Sequence, residues 1–343
     1  MSKKTVIIFS LVAMLFAFSG GVVYPASAAD FPSADFKFED RYLFTSQEPG
    51  TSLLIFATVI TECLKEYLPA HVELDIIPTG ATLASNTMVN DGIADIGFSE
   101  AGGNWAVQGI LLFDRPHTKI RSIGGGFQFV QNQAFMTSAF ATRHGIETFD
   151  DIKEKKPPIR LYTKVKGTMG QVASELQLEA YGITYDDIRA WGGSIVETSV
   201  PDIVDAMRDN RADVWLDNLA PGHPAATELF QLADIRLIKH SPEGLEKIYP
   251  YGFYPDVVPA GAWRGNDFEV TQPGSTTYLI ANEDVSEEFV YLLCKALDEH
   301  QERIRAAHSL LEHFDMSKAW ELVSGVELHP GALRYYREKG YME

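Results

Sequence analysis

The chain has 343 residues, of which 45% are hydrophobic and 22% charged, and a formal net charge of −18. That balance belongs to a well-packed globular protein with room for two ordinary domains. The acidity excludes nucleic acid as a partner, since phosphate neutralisation needs clustered Lys and Arg; an anionic small ligand stays open, because a binding site answers to its local field.

In chain order, Lys3 and Lys4 precede an apolar run from Val6 to Phe18 and the small residues Ala26-Ser27-Ala28-Ala29. This is the layout of a signal peptide over residues 1–29, with the mature chain starting near Asp30. An apolar stretch of about 13 residues falls short of the ~20 a bilayer-crossing helix needs. No cysteine at the cut offers a lipid attachment point, so a soluble protein of the periplasm is expected.

Arg41–Phe44 reads as a first strand, followed by a helix from Thr51-Ser52 in which Leu54, Thr58, Ile60, Cys63, Leu64 and Tyr67 recur at helical spacing up to Pro69. Val72–Ile77 alternates as a second strand ending at Pro78-Thr79-Gly80. A short helix to Asp91-Gly92 leads to a buried strand, Ala94–Phe98. Strand, helix and strand at this spacing imply an α/β sheet.

The rhythm restarts with a strand at Ile159–Thr163 and a helix opened by Gly167-Thr168-Met169-Gly170. A helix over Pro201–Asn210 and a strand over Ala212–Leu216 follow. Asp91-Gly92-Ile93-Ala94-Asp95 and Asp209-Asn210-Arg211-Ala212-Asp213 occupy the same local context, which implies two analogous lobes. The extended segments 126–138 and 266–281 sit where the chain would leave one lobe and return to it. Residues 30–130 and 275–343 would form lobe I, and 131–274 lobe II. Two connectors allow hinge closure, with hinges near Gln128–Ala134 and Pro273–Thr277. One long amphipathic helix over Val285–Ala307 and shorter ones around Met316–Val323 and Gly331–Lys339 complete the pattern.

The strongest local signals are Gly50-Thr51-Ser52 and Gly167-Thr168, two turns that each open a helix. Unpaired N–H groups and the helix dipole bind anions there, although plain N-capping explains either turn alone. Thr79-Gly80-Ala81-Thr82 repeats this chemistry at another strand end, and Ser99-Glu100 ends the third strand of the first lobe; Asp217-Asn218 and Pro221-Gly222-His223 sit at the matching edge of the second. The carboxyl edge of an open α/β sheet is where ligands bind. Lys164, like Lys166, flanks the Gly167 turn and could supply a positive charge. Cys63 and Cys294 lack CxxC partners, and the nine histidines lack metal-ligand spacing; no metal, cofactor or catalytic motif is expected. Trp215, beside Asp217, is the tryptophan nearest these candidates.

Taken together, the Gly92–Gly97 step, the Gly167-Thr168 loop, Ala260-Gly261-Ala262-Trp263 and the closing His329-Pro330-Gly331-Ala332 resemble the TAXI family of TRAP-transporter solute receptors. The resemblance implies a type II periplasmic binding protein, two α/β lobes joined by two crossover segments with a ligand cleft between them. It implies a monomeric, non-enzymatic receptor that hands a small organic anion, such as a carboxylate or amino acid, to an ion-coupled TRAP permease. It also implies ligand contacts from Gly50, Thr51, Ser52, Glu100, Gly167 and Thr168. Two departures stand out: the first loop reads Gln47-Glu48-Pro49-Gly50-Thr51-Ser52, without the family's aromatic residue, and Glu100 replaces a common neutral amide. A sensor's ligand-presenting subunit and an exported hydrolase are the alternative readings.

Overall fold

Ten strands hydrogen-bond into a single sheet in the computed structural model, which describes residues 36–49, 51–79 and 82–343. The predicted leader and its cut lie outside the described residues, as do Gly50 and Gly80. The strands are β1 (Arg41–Ser46), β2 (Glu73–Pro78), β3 (Ile96–Ser99), β4 (Ile120–Thr137), β5 (Arg160–Lys164), β6 (Ser194–Thr198), β7 (Val214–Leu219), β8 (Ile235–Leu237), β9 (Tyr254–Val258) and β10 (Val270–Asn282). The main path runs β2-β1-β3-β10-β4-β7-β5-β6.

Its two ends are parallel βαβ sets. β1 lies between β2 and β3, with Phe44 opposite both Ile76 and Ile96. β5 lies in the same way between β6 and β7. β4 and β10 are antiparallel and pair from Ile120–Asn282 in the first set to Gln131–Gly274 in the second. Each of these long strands therefore begins in one lobe and ends in the other. This is the expected class, α/β with two lobes joined by two crossover segments.

Both crossovers are sheet strands in full, because their extended sequences find each other as partners. Gly124-Gly125-Gly126 lies inside β4 and serves packing: a Cβ on Gly125 would sit 1.8 Å from the Leu322 carbonyl oxygen. Opposite Thr277/Tyr278 the register slips, and Gly126 absorbs the kink with φ +86.

The C-terminal part differs from expectation in two places. The long helix over Val285–Ala307 is two helices, Glu287–Glu299 and Gln301–Ala307, because His300 leaves helical geometry (φ −111, ψ 22). Its ring turns back to Glu66, 3.3 Å away. The segment near Met316–Val323 forms a 3-10 turn, Met316–Glu321. The first lobe's core gathers Phe44, Phe56, Phe98 and Phe127 in edge-on and tilted contacts; in the second, Phe135 meets Trp215, Phe230 and Trp263 in the same ways, and Phe230 stacks on Trp263. Cys63 and Cys294 are both buried and free. Among the described residues no helix is long and apolar enough to cross a membrane.

The closing helix, Pro330–Glu338, is fixed by His329, which is 1% exposed. Its Nε2 lies 3.0 Å from the Val285 carbonyl oxygen, and its Nδ1 accepts the Gly331 N–H at 3.2 Å. A ring accepting at Nδ1 is neutral, and burial holds its pKa down to about 4. The sign follows from linkage: the unfolded imidazole binds a proton near pH 6.5 and the native one does not. The stability His329 contributes is thus complete above pH 6.5 and drains away as pH falls towards 4. His329→Gln should cost about 2 kcal/mol less at pH 4.5 than at pH 7, given 1.36 kcal/mol per pKa unit; urea unfolding of both chains at both pH values checks this.

Candidate functional site

The parallel strands of both lobes end towards one cleft, and helices start where they end. Thr51 N-caps the helix Ser52–Lys65, accepting the Leu54 N–H at 3.4 Å and donating to the Glu48 carbonyl at 2.8 Å. Thr168 repeats the arrangement for Met169–Glu179, with Gln171 N–H at 3.4 Å and the Val165 carbonyl at 2.8 Å. Both hydroxyls are therefore spent on capping. What these turns hold out to a ligand is the unpaired backbone N–H groups that every helix start leaves.

A cleft of about 630 Å³ lies between the lobes. Ser52, Glu100, Gln128 and His308 wall it from one side, and Lys164, Thr168, Asn218 and His223 from the other. Five helices of eight residues or more start at this wall, at Ser52, Thr82, Ala101, Met169 and Pro224. Their positive ends add to one field over the cavity, each acting within its first turn.

Of the residues singled out from sequence, Ser52, Glu100, Lys164, Thr168, Asn218 and Pro221-Gly222-His223 line this cleft. Thr51, Thr79, Ser99, Gly167 and Asp217 do not. The Thr79 hydroxyl donates to the Ser46 carbonyl at 2.9 Å, and Ser99 is buried and donates to Asn86 Oδ1 at 2.8 Å. Gly167 takes the left-handed φ of +84 that the turn requires, and its N–H donates to Gln171 Oε1 at 3.2 Å.

Asp217 is wholly buried just behind Lys164, 3.2 Å from its Nζ. The Asn218 N–H, at 2.7 Å, and the Trp215 indole, at 3.2 Å, also donate to it. Burial pushes the Asp217 carboxyl up, and Lys164 and these donors pull it back. Trp215 is thus a support for the carboxylate and not a ligand platform. Gly170 makes room for the pair: a Cβ there would meet Asp217 Oδ1 at 2.1 Å and Lys164 Cδ at 2.7 Å.

Glu100 is 8% exposed, and one of its oxygens accepts from the Thr277 hydroxyl at 3.1 Å. Burial drives its carboxyl above the usual range, against the smaller pulls of Thr277 and Lys164. Burial, and then Lys164, lower His223, which keeps the imidazole neutral. Its Nδ1 is buried with no hydrogen-bond partner. Thr82, at the end of the turn that follows the second strand, also lines the cleft, whereas sequence reasoning passed over Gln128 and the His308–Leu310 turn. The first lies mid-strand and the last on the far side of the helix break, where no local pattern marks a site.

A family model described as NMT1-like family matches residues 49–340. The chain belongs to the NMT1-like family. Its fold is α/β, two βαβ sets joined into one sheet by two crossover strands. Similar solved structures include MatC from Rhodopseudomonas palustris with bound malate, 13% identical over 89% of this chain and 98% of that one, TM-score 0.48. The periplasmic aliphatic sulphonate binding protein SsuA from Escherichia coli is 11% identical over 88% and 79%, TM-score 0.46. A TctC solute binding protein from Polaromonas is 9% identical over 89% and 98%, TM-score 0.46. Likeness at this level transfers no ligand.

For this NMT1-like protein the capping geometry makes a direct prediction. Thr51→Val and Thr168→Val should each lower stability by about 0.5–2 kcal/mol, the usual worth of a Thr cap. Urea midpoints of the ligand-free protein read the effect without reference to any solute.

Proposed function

We propose that this protein is the periplasmic solute receptor of a TRAP-type, ion-coupled transporter of the TAXI kind. It captures a small organic anion, a carboxylate or amino acid, and presents it to the membrane permease as a monomer, without turning it over. The observation that carries this reading is the convergence of five helix starts and Lys164 on one cleft walled by both lobes. Preorganised N–H donors of this kind suit an anion whose charge does not change while it is bound. The mature chain would start after residue 29, with residues 30–130 and 275–343 as lobe I and 131–274 as lobe II.

Micromolar capture is within reach of so small a solute. About ten heavy atoms at roughly 0.8 kcal/mol each supply the ~8 kcal/mol it requires. Mass spectrometry of the solute released from purified, denatured protein, followed by a thermal-shift screen of carboxylates and amino acids, tests the assignment. Reversible stabilisation by an unmodified anion is expected, whereas conversion of that anion to a product would remove the receptor reading. Lys164→Met should weaken binding of the identified anion by about 1.5–3 kcal/mol, the range for a hydrogen bond to a charged group. Glu100→Gln separates the two members of the class: it weakens an amino acid, whose ammonium needs the carboxylate, and spares a simple carboxylate.

Closure would turn about Gln128–Ala134 and Pro273–Thr277, where β4 and β10 pass between lobes. Saturating ligand should shrink the radius of gyration in small-angle scattering. An unchanged radius, with binding confirmed by calorimetry, would mean a rigid cleft.

A further inference from the structure

A second cavity, of about 370 Å³, adjoins the cleft. The two share Pro221 and Gly222 from one lobe and Ser309 and Leu310 from the other as common walls. The pleat of β4 divides them: Gln128 and Val130 line the cleft, while Phe129 and Gln131 line the second cavity. Beyond this strand the chemistry changes. Phe129, Val258, Ala262, Trp263 and Leu310 make a wall that is mostly apolar. Trp263 is 5% exposed, and its indole N–H is buried without an acceptor.

We propose that the solute is an amphipathic anion whose acidic head sits among the helix starts and Lys164 and whose apolar body extends past Leu310 into the Trp263 cavity. The proposal rests on the receptor reading above and narrows its ligand. The cleft alone, at 630 Å³, falls within the ~300–1,000 Å³ that hosts drug-sized ligands, more than a compact four-carbon acid fills. The annex adds apolar surface, which rewards methylene groups, while Asp256 and Glu312 in its lining disfavour a second acidic group there. The walls come from both lobes, so a longer body also adds contacts that draw the lobes together.

The test is a series of straight-chain carboxylates from butanoate to decanoate, titrated calorimetrically into the full mature protein, with tryptophan fluorescence recorded in parallel. Affinity should rise by up to about fourfold per added methylene, and at least about tenfold across the series, before levelling off. The longer members should alter the tryptophan emission. Ala262 is exposed on the annex wall, so Ala262→Phe should obstruct the cavity without disturbing the core. It should collapse the series to the affinity of its shortest member and remove the fluorescence change. Binding that is independent of chain length, or that rises equally in Ala262→Phe, overturns the proposal and leaves the receptor reading standing. Failure of every member to bind overturns this proposal, while the solute identified by mass spectrometry decides the receptor reading separately.

Discussion

β4 and β10 pair antiparallel from Ile120 opposite Asn282 to Gln131 opposite Gly274, and they tie the two parallel βαβ sets into one sheet. A hydrogen-bonded ribbon resists sliding but bends and twists, so any motion between the lobes must be rotation about it. Its pairing is irregular at the Thr277/Tyr278 register slip, opposite the positive φ of Gly126. Beside them the ribbon is polar where a core would usually be apolar. Gln131, Asn132, Gln133 and Gln272 are nearly or wholly buried. Gln133 donates to Gln131 at 2.5 Å, and Asn218 donates to Asn132 at 2.8 Å. Amides can exchange partners without opening a void, whereas interdigitated apolar side chains lock one packing.

The sequence made the βαβ halves readable because their apolar spacing and Gly-Thr turns are local signals. The crossover segments could be placed for the same reason: their long extended runs had no helical period. Other elements were signalled but passed over. Thr148 with Asp151, and Thr184 with Asp187, form capping boxes that open Phe149–Lys155 and Tyr185–Ala190, and that spacing is visible in the chain. The break at His300 has no such mark, since Gln301-Glu302-Arg303 continues a good helical pattern and only tertiary contacts end it. The site divides similarly. Strand ends locate Lys164, Glu100 and Asn218, while the roles of Thr51 and Thr168 turn on a hydroxyl direction that sequence does not contain. Gln128 and His308 enter the cleft through packing across more than a hundred residues of chain.

The molecule's charge of −18 does not decide the field inside the cleft, which is set by its walls. Lys164 cannot be counted as a free positive charge, since Asp217 already balances it at 3.2 Å. The buried carboxylate instead fixes where the ammonium stands, leaving its remaining protons directed elsewhere. A buried ion pair of this kind gives little net stability, but loss of one partner leaves the other charge uncompensated. Gly170 and Trp215 therefore matter through Asp217, as parts of the frame that positions Lys164.

Glu100 sets the remaining condition. Were it ionised beside an anionic ligand, the helix starts would have to outweigh a second negative charge in a partly desolvated space. Burial favours its neutral form, and a protonated carboxyl donates a hydrogen bond where an ionised one repels. A solute with an ammonium group reverses the balance, since it stabilises the carboxylate and is stabilised by it. Glu100 belongs to the wall that carries Ser52 and His308, and Lys164 to the opposing wall with Asn218 and His223. A ligand satisfying both gains from bringing the walls together, and one satisfying a single wall gains nothing by closure.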